Sequence, residues 1–183
     1  MPLTRLTQSR AMKKTGNIYL VGFMGTGKTS VGRELAKRLE RSFIDLDELI
    51  ELKEKMLIPD IFAKKGEPYF RRAEKRALKG VSSQKEFIVG CGGGIVIDPD
   101  NIKVMKETGT IICLTAAPAV ILKRTSKTTH RPLLKVSDPR KQIELLLKMR
   151  APYYAQAGKG IDTSKLSVRE VVARILRMTA KKR

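Results

Sequence analysis

Tryptophan is absent from this 183-residue sequence, aromatic residues make up only 5% of it, and it holds two cysteines and one histidine. With aromatics this few, and no aromatic-basic stacking motif among them, the stacking platforms that hold single-stranded nucleic acid are not expected. Two cysteines, Cys91 and Cys113, cannot build a disulfide framework, and their spacing fits no metal site. Both stand in apolar runs and read as buried, reduced thiols of a cytoplasmic protein. No apolar stretch approaches the length of a membrane span. Acids are scarce as well: 18 Asp and Glu face 38 Lys and Arg, a formal charge of +20. The basic residues are spread over nearly every helical segment and interleaved with Glu, so solvated basic faces around an anion-attracting cleft explain them better than a nucleic-acid patch. Neither nucleic acid nor a membrane is expected as a partner.

What is present begins with GFMGTGKTS, Gly22 to Ser30, which satisfies G-x-x-x-x-G-K-[ST] through Gly22, Gly27, Lys28 and Thr29. The apolar run Ile18 to Val21 precedes it, and Val31, Leu35 and Leu39 follow at helical spacing. A strand should therefore turn into a helix here, the setting this loop requires. Glycines let successive backbone N–H groups curl around phosphate oxygens, and the helix points its positive end at the anion. Gly25, Thr26, Gly27 and Ser30 form the cradle, Lys28 reaches the β/γ-phosphates of ATP, and Thr29 holds Mg²⁺. The alternative, an ordinary glycine turn, does not need the full pattern.

The length fits one domain. Strand-length apolar runs at Ile18 to Phe23, Ser42 to Leu46, Phe87 to Val89, Ile111 to Leu114 and Gly160 to Thr163 alternate with helical patterns, among them Pro68 to Leu78 and Pro139 to Met149. That alternation predicts an α/β fold: a parallel sheet with right-handed crossovers and ligands at the carboxyl ends of the strands. Residues 1–16 carry Arg5, Arg10, Lys13 and Lys14 and no acid, and are expected to be a disordered basic extension before a single domain over 17–183.

Three further stretches refine the function. FIDLDELIE places Asp45 and Asp47 two apart; if the strand runs through both, their carboxylates leave one face beside the phosphate loop. One is then available to Mg²⁺ through water and the other to a substrate hydroxyl. Equally, Asp47 before ELIE reads as a helix N-cap. VGCGGG ends in Gly92, Gly93 and Gly94 where many P-loop proteins carry an acid, and three glycines permit close backbone approach to a ligand. Arg71 and Glu74 stand three apart in a helical stretch, where the acid can hold the guanidinium as a fork for a carboxylate; a solvated ion pair is the plainer reading.

GFMGTGKTSVGRELAKRL, FIDLD, IFAKKGEPYFRRAE, the GGG run, RPLL and MRAPYY occur in this order, and from about Asn17 to the final helix the chain resembles shikimate kinase. The resemblance implies a P-loop three-layer α/β/α fold of the nucleoside-monophosphate-kinase type, with a five-stranded parallel sheet, a substrate-binding region at about 46–80 and a mobile lid at about 124–136. It implies phosphorylation of the 3-hydroxyl of shikimate by ATP, with Mg²⁺, in a protein that acts as a monomer. It further implies that Asp47 binds the shikimate hydroxyls as candidate base, and that Arg71 and Arg150 bind the carboxylate. Gly92 to Gly94 would lie against the ring, Arg124 would flank adenine, Arg131 would fold from the lid over the phosphates, and Asp45 would meet Mg²⁺ through water. Two positions depart from the family's pattern: RTSKTTHRPLL lacks a midway acid, and Leu46 replaces a small hydroxyl residue. His130 reads as a lid surface residue.

Overall fold

The computed structural model describes residues 16–126 and 136–180. Of the expected basic extension only Gly16 falls within that range, and of the expected lid only residues 124–126 and Val136; Arg131 and His130 lie outside the described residues.

Five strands form one sheet in the order β2-β3-β1-β4-β5, every neighbouring pair parallel. They are β1 (Asn17–Gly22), β2 (Phe43–Asp45), β3 (Ile88–Gly90), β4 (Gly109–Thr115) and β5 (Lys159–Asp162). The central strand β1 is buried on both faces, which is why it reads as an unbroken apolar run. At the edge, β5 buries Ile161 and exposes its neighbours. Helices α1 (Lys28–Leu39) and α8 (Val168–Ala180) cover one face through Val31, Leu35, Val172 and Ile175. The other face carries α2 (Leu46–Glu54), α3 (Ile58–Lys65), α4 (Glu67–Ser82), α5 (Pro99–Thr108), α6 (Pro118–Thr125) and α7 (Pro139–Ala157) over Tyr19, Val21 and Val89. The expected three-layer α/β/α architecture is thus what forms.

Three local features differ from expectation. Strand β2 ends at Asp45, not beyond it, and Asp45 rather than Asp47 caps α2 by accepting the Asp47 N–H. A separate helix, α3, fills the stretch before Gly66, whose φ of 79° breaks the chain between α3 and α4. Helix α7 runs eight residues past Met149 to Ala157, through Pro152. Proline removes one donor and crowds the preceding turn, but tertiary packing of Tyr154 and Ala157 holds the helix together.

Packing of α1 sets the first distance of the site. A Cβ on Gly32 would overlap the Phe43 ring, so only glycine lets α1 lie directly on β2. That close approach leaves Thr29 Oγ1 3.1 Å from Asp45 Oδ2. By contrast, Gly80 in α4 has open space: a Cβ there meets nothing nearer than Lys53 Nζ at 3.9 Å. Gly80→Ala is expected to stabilise the fold by about 0.5–1 kcal/mol, read as a rise in the thermal midpoint, because only the unfolded chain loses freedom.

Candidate active site

The phosphate loop leaves β1 at Gly22, where φ is 143° and a Cβ would collide with the Leu114 carbonyl of β4. Gly25 and Gly27 also take positive φ, and Gly27 caps α1 with no side-chain partner for the first-turn N–H groups. Those donors stay available to an anion. Lys28 Nζ donates to the carbonyls of Gly22 and Phe23, both at 2.9 Å, so the ammonium arches over the loop it serves. Together Gly25, Thr26, Gly27, Lys28, Thr29 and Ser30 line a cleft of about 360 Å³ whose far wall is Leu166, Val168 and Val171. Cations and N–H groups at one end and an apolar wall at the other suit a nucleotide.

Arg124 closes this cleft. Its guanidinium donates to the Gly25 carbonyl at 3.2 Å, and to Thr163 Oγ1 and the Thr163 carbonyl, each at 3.0 Å. Thr163 is 2% exposed and also reaches the Thr26 carbonyl at 3.0 Å, tying β5 to the phosphate loop. Thr163 was not singled out from sequence, and no local spacing points to it.

On the other side of the loop, Gly92, Gly93 and Gly94 follow β3. None has positive φ, so glycine is needed here for space rather than for backbone freedom. A Cβ on Gly92 would lie 2.7 Å from Glu74 Oε1 and 3.0 Å from Asp47 Oδ1. One on Gly93 would lie 3.4 Å from Arg150 Nη1 and 3.6 Å from the Tyr154 hydroxyl, and one on Gly94 would lie 2.5 Å from both Arg71 Nη atoms. Three successive backbone positions therefore meet the acid, one arginine and the other arginine in turn. Asp47, Arg71 and Arg150 come from α2, α4 and α7, and the glycine run brings them to one floor.

Arg71 is gripped from two sides. Nη1 donates to Glu74 Oε2 at 2.9 Å, while Nε and Nη2 donate to Glu67 Oε1 at 3.2 and 2.9 Å. Glu67 escaped the sequence reading, although the same helical spacing that paired Arg71 with Glu74 places it four residues away. Glu74 is 1% exposed, and burial pushes its carboxyl up to about 7, with Asp47 adding to the rise and Arg71 and Arg150 opposing it. A carboxyl raised in the folded state contributes stability below its unfolded pKa of about 4.5, and that contribution is lost as pH rises through about 7. The fold therefore tolerates the ionised carboxylate above neutrality for the sake of holding Arg71. Arg150 is 9% exposed, and its guanidinium carbon lies 5.7 Å from the ring centroid of Phe23, the residue that follows β1, so the start of the phosphate loop helps to orient it.

Thr29 and Asp45 are hard oxygen donors beside the loop, and among the described residues no group of three or more His, Cys, Asp or Glu is placed to hold a metal ion by itself. That donor set fits Mg²⁺, which takes one or two protein oxygens and completes its octahedron with phosphates and water. Among the described residues no helix is long and apolar enough to cross a membrane.

A family model described as shikimate kinase matches residues 24–180. Shikimate kinases of Caldanaerobacter subterraneus subsp. tengcongensis and Thermoanaerobacter pseudethanolicus are 47% and 43% identical to the chain over 161 residues, spanning 88% of it and 94% of each relative. A solved structure of shikimate kinase from Acinetobacter baumannii in complex with shikimate has a TM-score of 0.87 at 38% identity, covering 92% of this chain and 96% of that one. A gluconokinase from Sinorhizobium meliloti has a TM-score of 0.57 at 16% identity, a likeness of fold alone.

Proposed function

Because the chain belongs to the shikimate kinase family, we propose that Asp47, Arg71, Gly93 and Arg150 hold shikimate while the Gly25–Ser30 loop holds the phosphates of ATP. The protein is an ATP- and Mg²⁺-dependent kinase that transfers the γ-phosphoryl group to the 3-hydroxyl of shikimate, giving shikimate 3-phosphate and ADP, a step of aromatic amino-acid biosynthesis. The observation that carries the residue assignments is the glycine floor, which meets Asp47, Arg150 and Arg71 at consecutive positions. Two arginines suit the carboxylate, and an acid suits the hydroxyls.

In the step itself the hydroxyl oxygen bonds to the γ-phosphorus as the bond to the β-phosphate oxygen breaks, and the hydroxyl proton passes to Asp47. Positioning outweighs proton removal because the transition state is loose. Lys28 offsets the charge that develops on the phosphoryl oxygens. Thr29, and Asp45 through water, would hold Mg²⁺, which would supply further charge neutralisation at the phosphates. Arg124 flanks the base, and Arg131, by resemblance, joins the phosphates from the lid. We place the protein as a cytoplasmic monomer with one catalytic domain over 17–183; the buried free thiols Cys91 and Cys113 fit a reducing compartment.

The test is ADP release from ATP and Mg²⁺ with shikimate, gluconate, a nucleoside monophosphate or nucleic acid. Turnover that requires shikimate is expected; turnover with gluconate alone would reassign the acceptor site. Glu74 adds a pH prediction. An anionic carboxylate bound beside it favours its protonated form, so by linkage shikimate binds more tightly as pH falls through about 7. The KM for shikimate is expected to fall severalfold between pH 8 and pH 6, and Glu74→Gln should flatten that profile. An unchanged slope in the variant would assign it to another group.

A further inference from the structure

We infer that Tyr154 is a positioning residue of the acceptor site, fixing the Gly93 peptide and the Arg150 guanidinium through a single hydroxyl. The inference rests on the assignment of Gly93 and Arg150 to shikimate. Tyr154 Oη donates to the Gly93 carbonyl at 2.6 Å, at the short end for such a bond. A phenol has one proton and two lone pairs, so with the proton committed to Gly93 it is left to accept. The cation beside it is Arg150, one helical turn earlier on α7: the point where a Gly93 Cβ would stand lies 3.4 Å from its Nη1 and 3.6 Å from the Tyr154 hydroxyl.

The neighbouring carbonyls show why this bond matters. Those of Gly92 and Gly94 receive the backbone N–H groups of Ile95 and Ile97, bonds made by the turn itself. That of Gly93 receives the Tyr154 hydroxyl, from an element 61 residues away in sequence. The orientation of the Gly93–Gly94 peptide is thus set from α7, by the helix that also carries Arg150. Space is tight: the point where a Gly93 Cβ would stand is 3.5 Å from the Gly22 carbonyl of the phosphate loop as well. The phenol is 7% exposed, and burial pushes its pKa up to about 12, so it keeps its proton throughout the working range. It acts as a fixed strut and takes no part in proton transfer.

Tyr154→Phe keeps the ring in its packing and removes the one oxygen. The KM for shikimate is expected to rise about tenfold while the KM for ATP stays within twofold, and kcat falls no more than a few-fold. In the double variant with Arg150→Lys, the loss in kcat/KM should be smaller than the product of the two single losses, because both disturb the same guanidinium. An unchanged shikimate KM, or equal losses for ATP and shikimate, would overturn the inference. Wild-type protein assayed alongside separates the causes. If it shows no shikimate-dependent turnover, the acceptor assignment falls and this inference with it; if wild type turns over normally beside an unaffected Y154F, only the inference falls.

Discussion

Asp47→Asn is expected to lower kcat by about a thousandfold, within the range for loss of a positioned base, while ATP binding measured by nucleotide titration stays within about twofold. Asparagine matches aspartate in shape, so the fold and the approach of Gly92 are kept. What is lost is an acceptor for the hydroxyl proton and a negative charge that holds the hydroxyl in line. The substitution should leave a second mark. Asp47 helps to raise the pKa of Glu74, so neutralising it moves that carboxyl back toward its ordinary range and shifts the pH dependence of shikimate binding to lower pH. A wild-type rate in D47N would remove Asp47 from the mechanism. A lost rate with an unmoved profile would keep Asp47 but sever it from Glu74.

Gly94→Ala should separate binding from folding. The added Cβ would stand 2.5 Å from Arg71 Nη1 and Nη2 and 2.7 Å from Cζ, closer than atoms pack. The backbone at Gly94, φ −97° and ψ −4°, accepts alanine without strain. The guanidinium is the free end of a long side chain, so it yields and the chain still folds. Arg71 is then displaced from the Glu74 carboxylate and from any ligand carboxylate. A charge-assisted hydrogen bond contributes about 1.5–3 kcal/mol, so kcat/KM for shikimate is expected to fall roughly a hundredfold. ATP binding should hold and the chain should still fold, with a lowered thermal midpoint because the buried Glu74 carboxyl loses its partner, whereas Gly80→Ala raises the midpoint and leaves shikimate kinetics unchanged. A collapse of stability without a selective loss for shikimate would show that Gly94 serves the fold rather than the arginine.

These two residues also mark where the sequence could be read and where it could not. Lys28, Thr29 and their glycines are legible because a phosphate loop is local: nine consecutive residues set the turn, the cap and the cation. Arg71 and Glu74 are legible for the same reason, one helical turn apart. Asp47 was harder, because the start of α2 one residue after β2 decides which carboxylate caps and which faces Gly92. The glycine run announces close approach but not to what. Its partners sit on α2, α4 and α7 and meet only when the sheet order β2-β3-β1 assembles. Tyr154 with Gly93 and Thr163 with Arg124 close over 61 and 39 residues, and no periodicity encodes such pairs. Helix α7 runs past its expected end at Met149 because the packing of Tyr154 and Ala157 outweighs Pro152.

The sheet divides the chain's inheritance as well as its core. Most of the residues assigned above to the acceptor ride on α2, α4 and α7, packed on one face, while the helix that starts at the phosphate loop, α1, pairs with α8 on the other. Substitutions far apart and without shared partners act independently. A lineage built on this plan can therefore vary its acceptor residues without disturbing the opposite face, and drift in α8 leaves the acceptor's recognition untouched. The point where the two histories must agree is β1 and the loop it feeds, where Gly22 permits no side chain.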